Sequence, residues 1–234
     1  MISRLERRVR RLQDRYGDAL LTSLTVLLLL LMFVVAPLRA AEVAGVQVLA
    51  LVLVLALMIN SLVLSGSLTG FVTMLVAVGM NAAAVIRRAE HQSITNIHLV
   101  AAAWLILALA LGWIVARAVF GPGRVNYHRV VGAVLLYLLI ALIFSALFAF
   151  VGLVIANAFS GLTLVDSPAL ASNLIYFSFV TLTSTGYGDV VPLHPIARSL
   201  CNVETIIGQL YPATLLARLV TLELAHRRGI DGEC

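Results

Sequence analysis

Residues 181–189 read Thr181-Leu182-Thr183-Ser184-Thr185-Gly186-Tyr187-Gly188-Asp189, and the interpretation of the whole chain starts from this stretch. Its glycines permit backbone conformations that a Cβ atom would forbid. When such conformations alternate along the chain, successive carbonyl oxygens turn toward one axis. Four copies around that axis would surround a cation with rings of oxygen that replace its water shell. The stretch therefore predicts an ion-selectivity filter to which each chain contributes one strand.

Three side chains of this filter have separate expected roles. The Ser184 hydroxyl adds a ring of oxygen at the inner end. Tyr187 points away from the axis and packs against the preceding helix, which holds the diameter of the ring. Asp189 lies at the outer mouth, where its charge concentrates cations.

The residues before the filter predict a short helix over Pro168–Leu182. Asp166 or Ser167 can cap its free N–H groups, and Pro168 suits the first helical position. Because a membrane-crossing helix needs about 20 apolar residues, this one is too short to cross and is predicted to be re-entrant. Its carboxyl end carries about half a negative charge and points toward the bilayer centre, where it stabilises a cation.

The composition places the chain in a membrane. Of its 234 residues, 62% are hydrophobic and 12% are charged, whereas a soluble domain has about 45–50% and about 25%. Besides the re-entrant helix, six apolar runs are long enough to cross the bilayer: residues 19–38, 43–64, 68–86, 97–116, 129–157 and 194–222. We expect an all-α polytopic protein with six transmembrane helices.

Residues 125–225 resemble the pore of the potassium channel superfamily, in its bacterial six-helix form. The threonine-rich filter carries the resemblance, which implies a homotetramer that conducts K⁺ passively and binds it at Ser184, Thr185, Gly186 and Tyr187, with Gly188 completing the filter. The sequence departs from the family at two positions. Threonine is usual where Ser184 stands, and valine or isoleucine where Thr185 stands; the serine keeps the hydroxyl ligand, while the threonine adds a hydroxyl behind the filter.

The predicted inner helix contains four candidate residues. Gly208 lies 20 residues beyond Gly188, where the resemblance places a gating hinge, and Pro212 removes a helical hydrogen bond one turn later. Alternatively, Gly208 only permits close helix packing. Glu204 is expected either to hydrogen-bond toward the back of the filter or to be a quiet structural donor, and Gln209 to face the cavity; together with Thr183 they support the filter or line that cavity.

The arginines predict the orientation. With both termini cytoplasmic, twelve of the sixteen basic residues lie inside, although Arg87 and Arg88 fall outside. The predicted organisation is a basic amphipathic segment (1–18), a four-helix transmembrane domain (19–118), a cytoplasmic linker (119–128), a pore domain (129–225) and a short cytoplasmic tail (226–234). The first segment either lies on the inner membrane, on anionic lipid, or forms a short coiled coil; nucleic acid is not an expected partner.

Several classes of function lack support in the sequence. The run 97–116 has no arginine, whereas a voltage sensor needs several positive charges at every third position. No catalytic pairing or metal spacing occurs, so we expect neither an enzyme nor a cofactor, and no ligand-sensing domain is expected after residue 222. A weakly selective monovalent cation channel and the translocating subunit of a potassium uptake system remain as alternatives. Under each of these hypotheses, we expect the protein in the inner membrane.

Overall fold

The computed structural model describes residues 19–65, 68–120 and 127–231. These ranges form seven helices and one small sheet. The helices are α1 (Ala19–Ala40), α2 (Val46–Ser65), α3 (Leu68–Glu90), α4 (Ile94–Phe120), α5 (Tyr127–Val154), α6 (Pro168–Leu182) and α7 (Pro195–Asp231). The strands are β1 (Phe159–Ser160) and β2 (Val191–Pro192).

Three of the described helices are long and apolar enough to cross a membrane: Ala19–Ala40, Ile94–Arg117 and Val130–Val154. A shorter apolar helix covers Val46–Ser61. The helical content and these apolar helices confirm an all-α membrane protein, whereas the six crossings remain a prediction. The N-terminal segment 1–18 and most of the predicted linker lie outside the described residues. Helix α7 continues to Asp231, past the predicted start of the tail.

Helix α1 changes its hydrogen bonding in the middle. Leu31–Val35 form a π-helical turn, and Pro37 follows at the start of the next α-helical turn. Proline has no N–H to donate to the residue four positions earlier, which here is Phe33, so the wider turn accommodates the missing bond. The turn brings the Phe33 ring to 4.9 Å from the ring of Phe179 in α6. Helix α1 therefore packs beside the helix that leads to the predicted filter.

Aromatic side chains between α5 and α6 form the core under the predicted filter. Phe148 of α5 is completely buried, and its ring lies 4.7 Å from that of Phe177 and 5.7 Å from that of Phe159. Such tilted and edge-on pairs are the favoured arrangements of aromatic rings. This cluster fixes α6 against α5 and β1.

The small sheet closes the loop around the filter. Strands β1 and β2 are antiparallel and pair Phe159 with Pro192 and Ser160 with Val191. Gly161 has a φ of 78°, and a Cβ atom there would lie 1.9 Å from the carbonyl oxygen of Asp189. The chain that leaves the filter is therefore held directly against the chain that enters α6.

Candidate functional site

The backbone of the predicted filter alternates in handedness. Ser184, Gly186 and Gly188 have φ values of 57°, 56° and 82°, whereas Thr185 and Tyr187 between them are not in the left-handed region. An alternation of this kind can turn successive carbonyl groups to one side of the chain. In the part of the chain that the structure describes, no backbone N–H donates to the carbonyl oxygens of residues 184–188. A row of exposed oxygens is thus available to a cation.

The N–H groups of the first filter residues bind the end of α6 instead. The amide of Ser184 donates to Thr181 O over 2.9 Å, and the amides of Thr185 and Gly186 donate to Val180 O over 2.9 and 3.3 Å. These carbonyl groups are among the last of α6, which have no partner inside the helix. The helix end therefore orients the filter backbone and leaves its carbonyl oxygens unused.

The two threonines that flank Ser184 bind each other. Their hydroxyl oxygens, on Thr183 and Thr185, lie 2.8 Å apart, and the Thr183 hydroxyl lies 2.7 Å from Phe179 O. The hydroxyl that Thr185 adds therefore takes part in the connection between filter and helix.

At the other end of the filter, Tyr187 stacks on Tyr176 of α6. The ring centroids are 6.2 Å apart and the planes differ by 3°, and the Asp189 carboxylate lies near the Tyr176 hydroxyl. One tyrosine of α6 thus stacks on the aromatic residue of the stretch and lies beside its acidic residue. Sequence reasoning placed Tyr187 against α6 but did not find Tyr176, because no periodicity distinguishes it from other apolar positions.

Helix α7 packs closely against the end of α6. A Cβ atom on Gly208 would lie 1.9 Å from the carbonyl oxygen of Leu182, and the Thr205 hydroxyl donates to Thr181 O over 3.3 Å. The close approach supports a packing role for Gly208. Pro212 lies inside α7, which continues as one helix on both sides, and the predicted hinge stays a prediction.

Gln209 contacts the filter itself. Its amide nitrogen lies 2.8 Å from the Ser184 hydroxyl oxygen. Because an amide N–H donates, the hydroxyl oxygen keeps a second lone pair that can face a cation. The unusual serine of the filter is therefore held by a polar residue of α7.

Glu204 contacts the middle of α6 rather than the filter. Its side chain is completely buried, and one carboxyl oxygen hydrogen-bonds to the Ser178 hydroxyl. The Ser178 oxygen also lies 2.8 Å from Ala141 O of α5. Glu204 thus joins α5, α6 and α7, while its second carboxyl oxygen has no partner among the described residues. The contact is with α6, and both expected roles of Glu204 stay predictions.

The predicted side-chain cap of α6 is wrong. Ser167 occupies the N-cap position without a side-chain bond, and Asp166 instead binds Arg88 and Asn96, at 2.5 and 2.7 Å. The cause is tertiary, because the connection between α3 and α4 comes close to Asp166 only in the folded chain. The side chain of Arg198 donates to Pro192 O over 3.2 Å.

Known proteins resemble the C-terminal part of the chain, which contains this site. Residues 133–223 match the family model described as an ion channel. Protein LctB of Bacillus caldotenax is 36% identical over 55 residues, which cover 24% of this chain and 40% of that protein, so the aligned part spans less than half of the relative. No solved structure matches the chain. The family match and the apolar helices support a multi-pass membrane protein whose segment 133–223 is similar to ion channels of the potassium channel superfamily.

Proposed function

We propose that the chain is one subunit of a homotetrameric channel that conducts K⁺ passively and selectively. The observation that carries this proposal is the alternation of positive φ at Ser184, Gly186 and Gly188, because such an alternation can turn carbonyl oxygens that accept no backbone N–H toward one axis. Four such rows around an axis supply the oxygen rings that replace the hydration shell of K⁺.

The surroundings of the filter favour a cation over an anion. Helix α6 ends at Leu182, directly before the filter, and the partial negative charge of a helix carboxyl end attracts cations. The Ser184 hydroxyl adds an oxygen at one end, and Asp189 adds a full negative charge at the other. In this arrangement, a cation would meet the neutral hydroxyl of Ser184 at one end of the filter and the carboxylate of Asp189 at the other.

The exposed surface supports four copies. Each chain has one filter, so one chain cannot enclose an ion. Tyr187 of the filter is 71% exposed, and large apolar side chains of α7 are about half exposed, namely Val203, Ile206, Leu210 and Leu216. Some of these side chains would line the pore and others would pack against neighbouring subunits, because a C4 arrangement gives each α7 two kinds of partner surface.

The remaining predictions belong to the same proposal. In it, six helices cross the inner membrane, both termini are cytoplasmic, and the arginine-rich segment 1–18 contacts anionic lipid. Residues 129–225 form the pore domain, and residues 19–118 form a four-helix transmembrane domain. The helix bounds and the position of the arginines are compatible with this topology.

The experiment is a K⁺ flux assay on purified protein in liposomes, with Gly186→Ala as the test variant. An alanine at a φ of 56° costs about 1–2 kcal/mol, so we expect loss of selectivity or of flux. Gly112→Ala in α4 is the matched control, because a Cβ there meets nothing within 4 Å. Native mass measurement should give four chains. K⁺ flux that is unchanged in Gly186→Ala, or a stable monomer, would contradict the proposal.

A further inference from the structure

A buried ion pair joins the segment before α6 to the connection between α3 and α4. The Asp166 side chain is 2% exposed, and its Oδ1 accepts from Nε and Nη2 of Arg88, each at 2.5 Å. Its Oδ2 accepts from the side-chain amide of Asn96 at 2.7 Å and from the backbone N–H of Ser93 at 3.3 Å. All of these donors come from one place, which we call the α3–α4 corner (Arg88, Ser93 and Asn96).

The ends of several helices lie at or near this corner. Arg88 lies in the last turn of α3, and Asn96 lies in the first turn of α4. Arg39, in the last turn of α1, is close enough to Arg88 to repel it. Asp166 is the carboxylate that binds Arg88 there, and it lies two residues before Pro168, where α6 begins.

The pair is a different kind of contact from a surface ion pair. Exposed pairs contribute little, because water screens them. Without Arg88, the buried Asp166 carboxylate would keep only the neutral donors Asn96 and Ser93, and a buried charge without its ion-pair partner is costly. Loss of the pair would therefore destabilise the segment that leads into α6.

Helix α6 connects this pair to the filter. It has 15 residues and is therefore about 22 Å long. One end follows Asp166, and the last carbonyl groups at the other end bind the amides of Ser184 and Thr185. Because a helix of this length moves as a rigid body, a shift at its start reaches the filter backbone.

We propose that Arg88 is a positioning residue for conduction, and that α1 to α4 set the conducting state of the filter through the Arg88–Asp166 pair. This inference rests on the proposed function, since it needs a filter at the end of α6. In this proposal, α1 to α4 act on the filter through an ion pair, and no gating charge has to move across the membrane. Arg88 itself does not touch the ion.

The test compares Arg88→Gln and Asp166→Asn with the double variant in single-channel recordings. Each single variant should change the open probability by about 5- to 150-fold, and the double variant should have no larger effect than either single one, because both remove the same contact. Arg87→Gln is the matched control: this neighbouring arginine is exposed and should leave the open probability within about twofold. Arg88→Lys keeps the charge and should restore part of the change.

Amide hydrogen exchange provides a readout that does not depend on current. Residues 168–189 should exchange faster in Arg88→Gln than in Arg87→Gln. Equal exchange and equal open probability in the two variants would overturn the inference, as would effects of the single variants that add up in the double variant. Absence of K⁺ current in the wild-type protein would instead contradict the proposed function, while the exchange experiment would still decide whether Arg88 positions α6.

Discussion

Ser184 combines a left-handed backbone conformation with a side-chain hydrogen bond. Its φ of 57° is in the left-handed region, which costs a residue other than glycine about 1–3 kcal/mol. Its hydroxyl oxygen is held by Gln209 of α7, at 2.8 Å. The backbone strain turns the carbonyl toward the proposed ion path, and the side-chain bond fixes the hydroxyl at its end.

Replacing Gln209 with leucine should weaken ion binding at the Ser184 end of the filter. The change removes the N–H donor, and a hydrogen bond of this kind contributes about 0.5–1.5 kcal/mol, which corresponds to a roughly 2- to 10-fold loss of affinity. Ba²⁺ block from the cytoplasmic side measures this affinity, because Ba²⁺ is close to K⁺ in radius. In a Ser184→Ala background, Gln209→Leu should have no further effect. Full effects of both changes in the double variant would show that the two residues act independently.

Replacing Glu204 separates its hydrogen bond from its charge. Ser178 has one hydroxyl hydrogen, and its oxygen lies 2.8 Å from Ala141 O, so an amide N–H at position 204 can complete the same network. Glu204→Gln should therefore keep most of the stability. Glu204→Ala should lose about 2 kcal/mol or more, because it leaves a cavity beside an unpaired hydroxyl. Denaturation in detergent measures both; equal losses in the two variants would show that the charge itself is needed.

At the scale of elements, α6 is the helix that α1, α5 and α7 all contact. Its two ends were predictable from local chemistry, because proline suits a first helical turn and the glycine-rich stretch cannot continue the helix; the helix predicted over Pro168–Leu182 has these bounds in the structure. The contact of Tyr187 with this helix was predictable, because the two are close in the chain, but the long-range contacts were not. Ser178 binds residues of α5 and α7, Asp166 binds Arg88, and no spacing in the sequence shows which distant residues the fold will bring together.

The packing of α7 on α6 gives a prediction for Gly208→Ala. The added methyl group would lie 1.9 Å from Leu182 O, which is backbone and cannot rotate away. We expect a loss of about 1–3 kcal/mol, together with a reduced current, because the filter follows Leu182. Gly112→Ala, which meets nothing within 4 Å, should be neutral or slightly stabilising. A thermal melt of both variants makes the comparison, and equal melting temperatures would refute the close contact.

At the scale of the whole molecule, α4 lacks the charges of a voltage sensor. Arg117 lies near its end and is 5.9 Å from the ring of Trp113, and no other arginine lies in Ile94–Phe120. Each gating charge contributes about 2.3 kcal/mol per 100 mV, so a single one cannot produce steep activation. Conductance in a voltage ramp should therefore change gradually. An activation curve with several gating charges per subunit would show that this description of α4 is wrong.

At the scale of the whole molecule, the proposed function depends on which ion the filter selects. In that proposal the carbonyl oxygens from Ser184 to Gly188 bind K⁺, whereas Ser184 and Thr185 are the two positions that differ from the residues usual in the family that the sequence resembles. The most direct measurement is the reversal potential of purified protein in a planar bilayer, with K⁺ on one side and Na⁺ on the other. We predict a reversal potential that approaches the equilibrium potential of K⁺. A reversal potential near zero would indicate a weakly selective cation channel and would contradict the account.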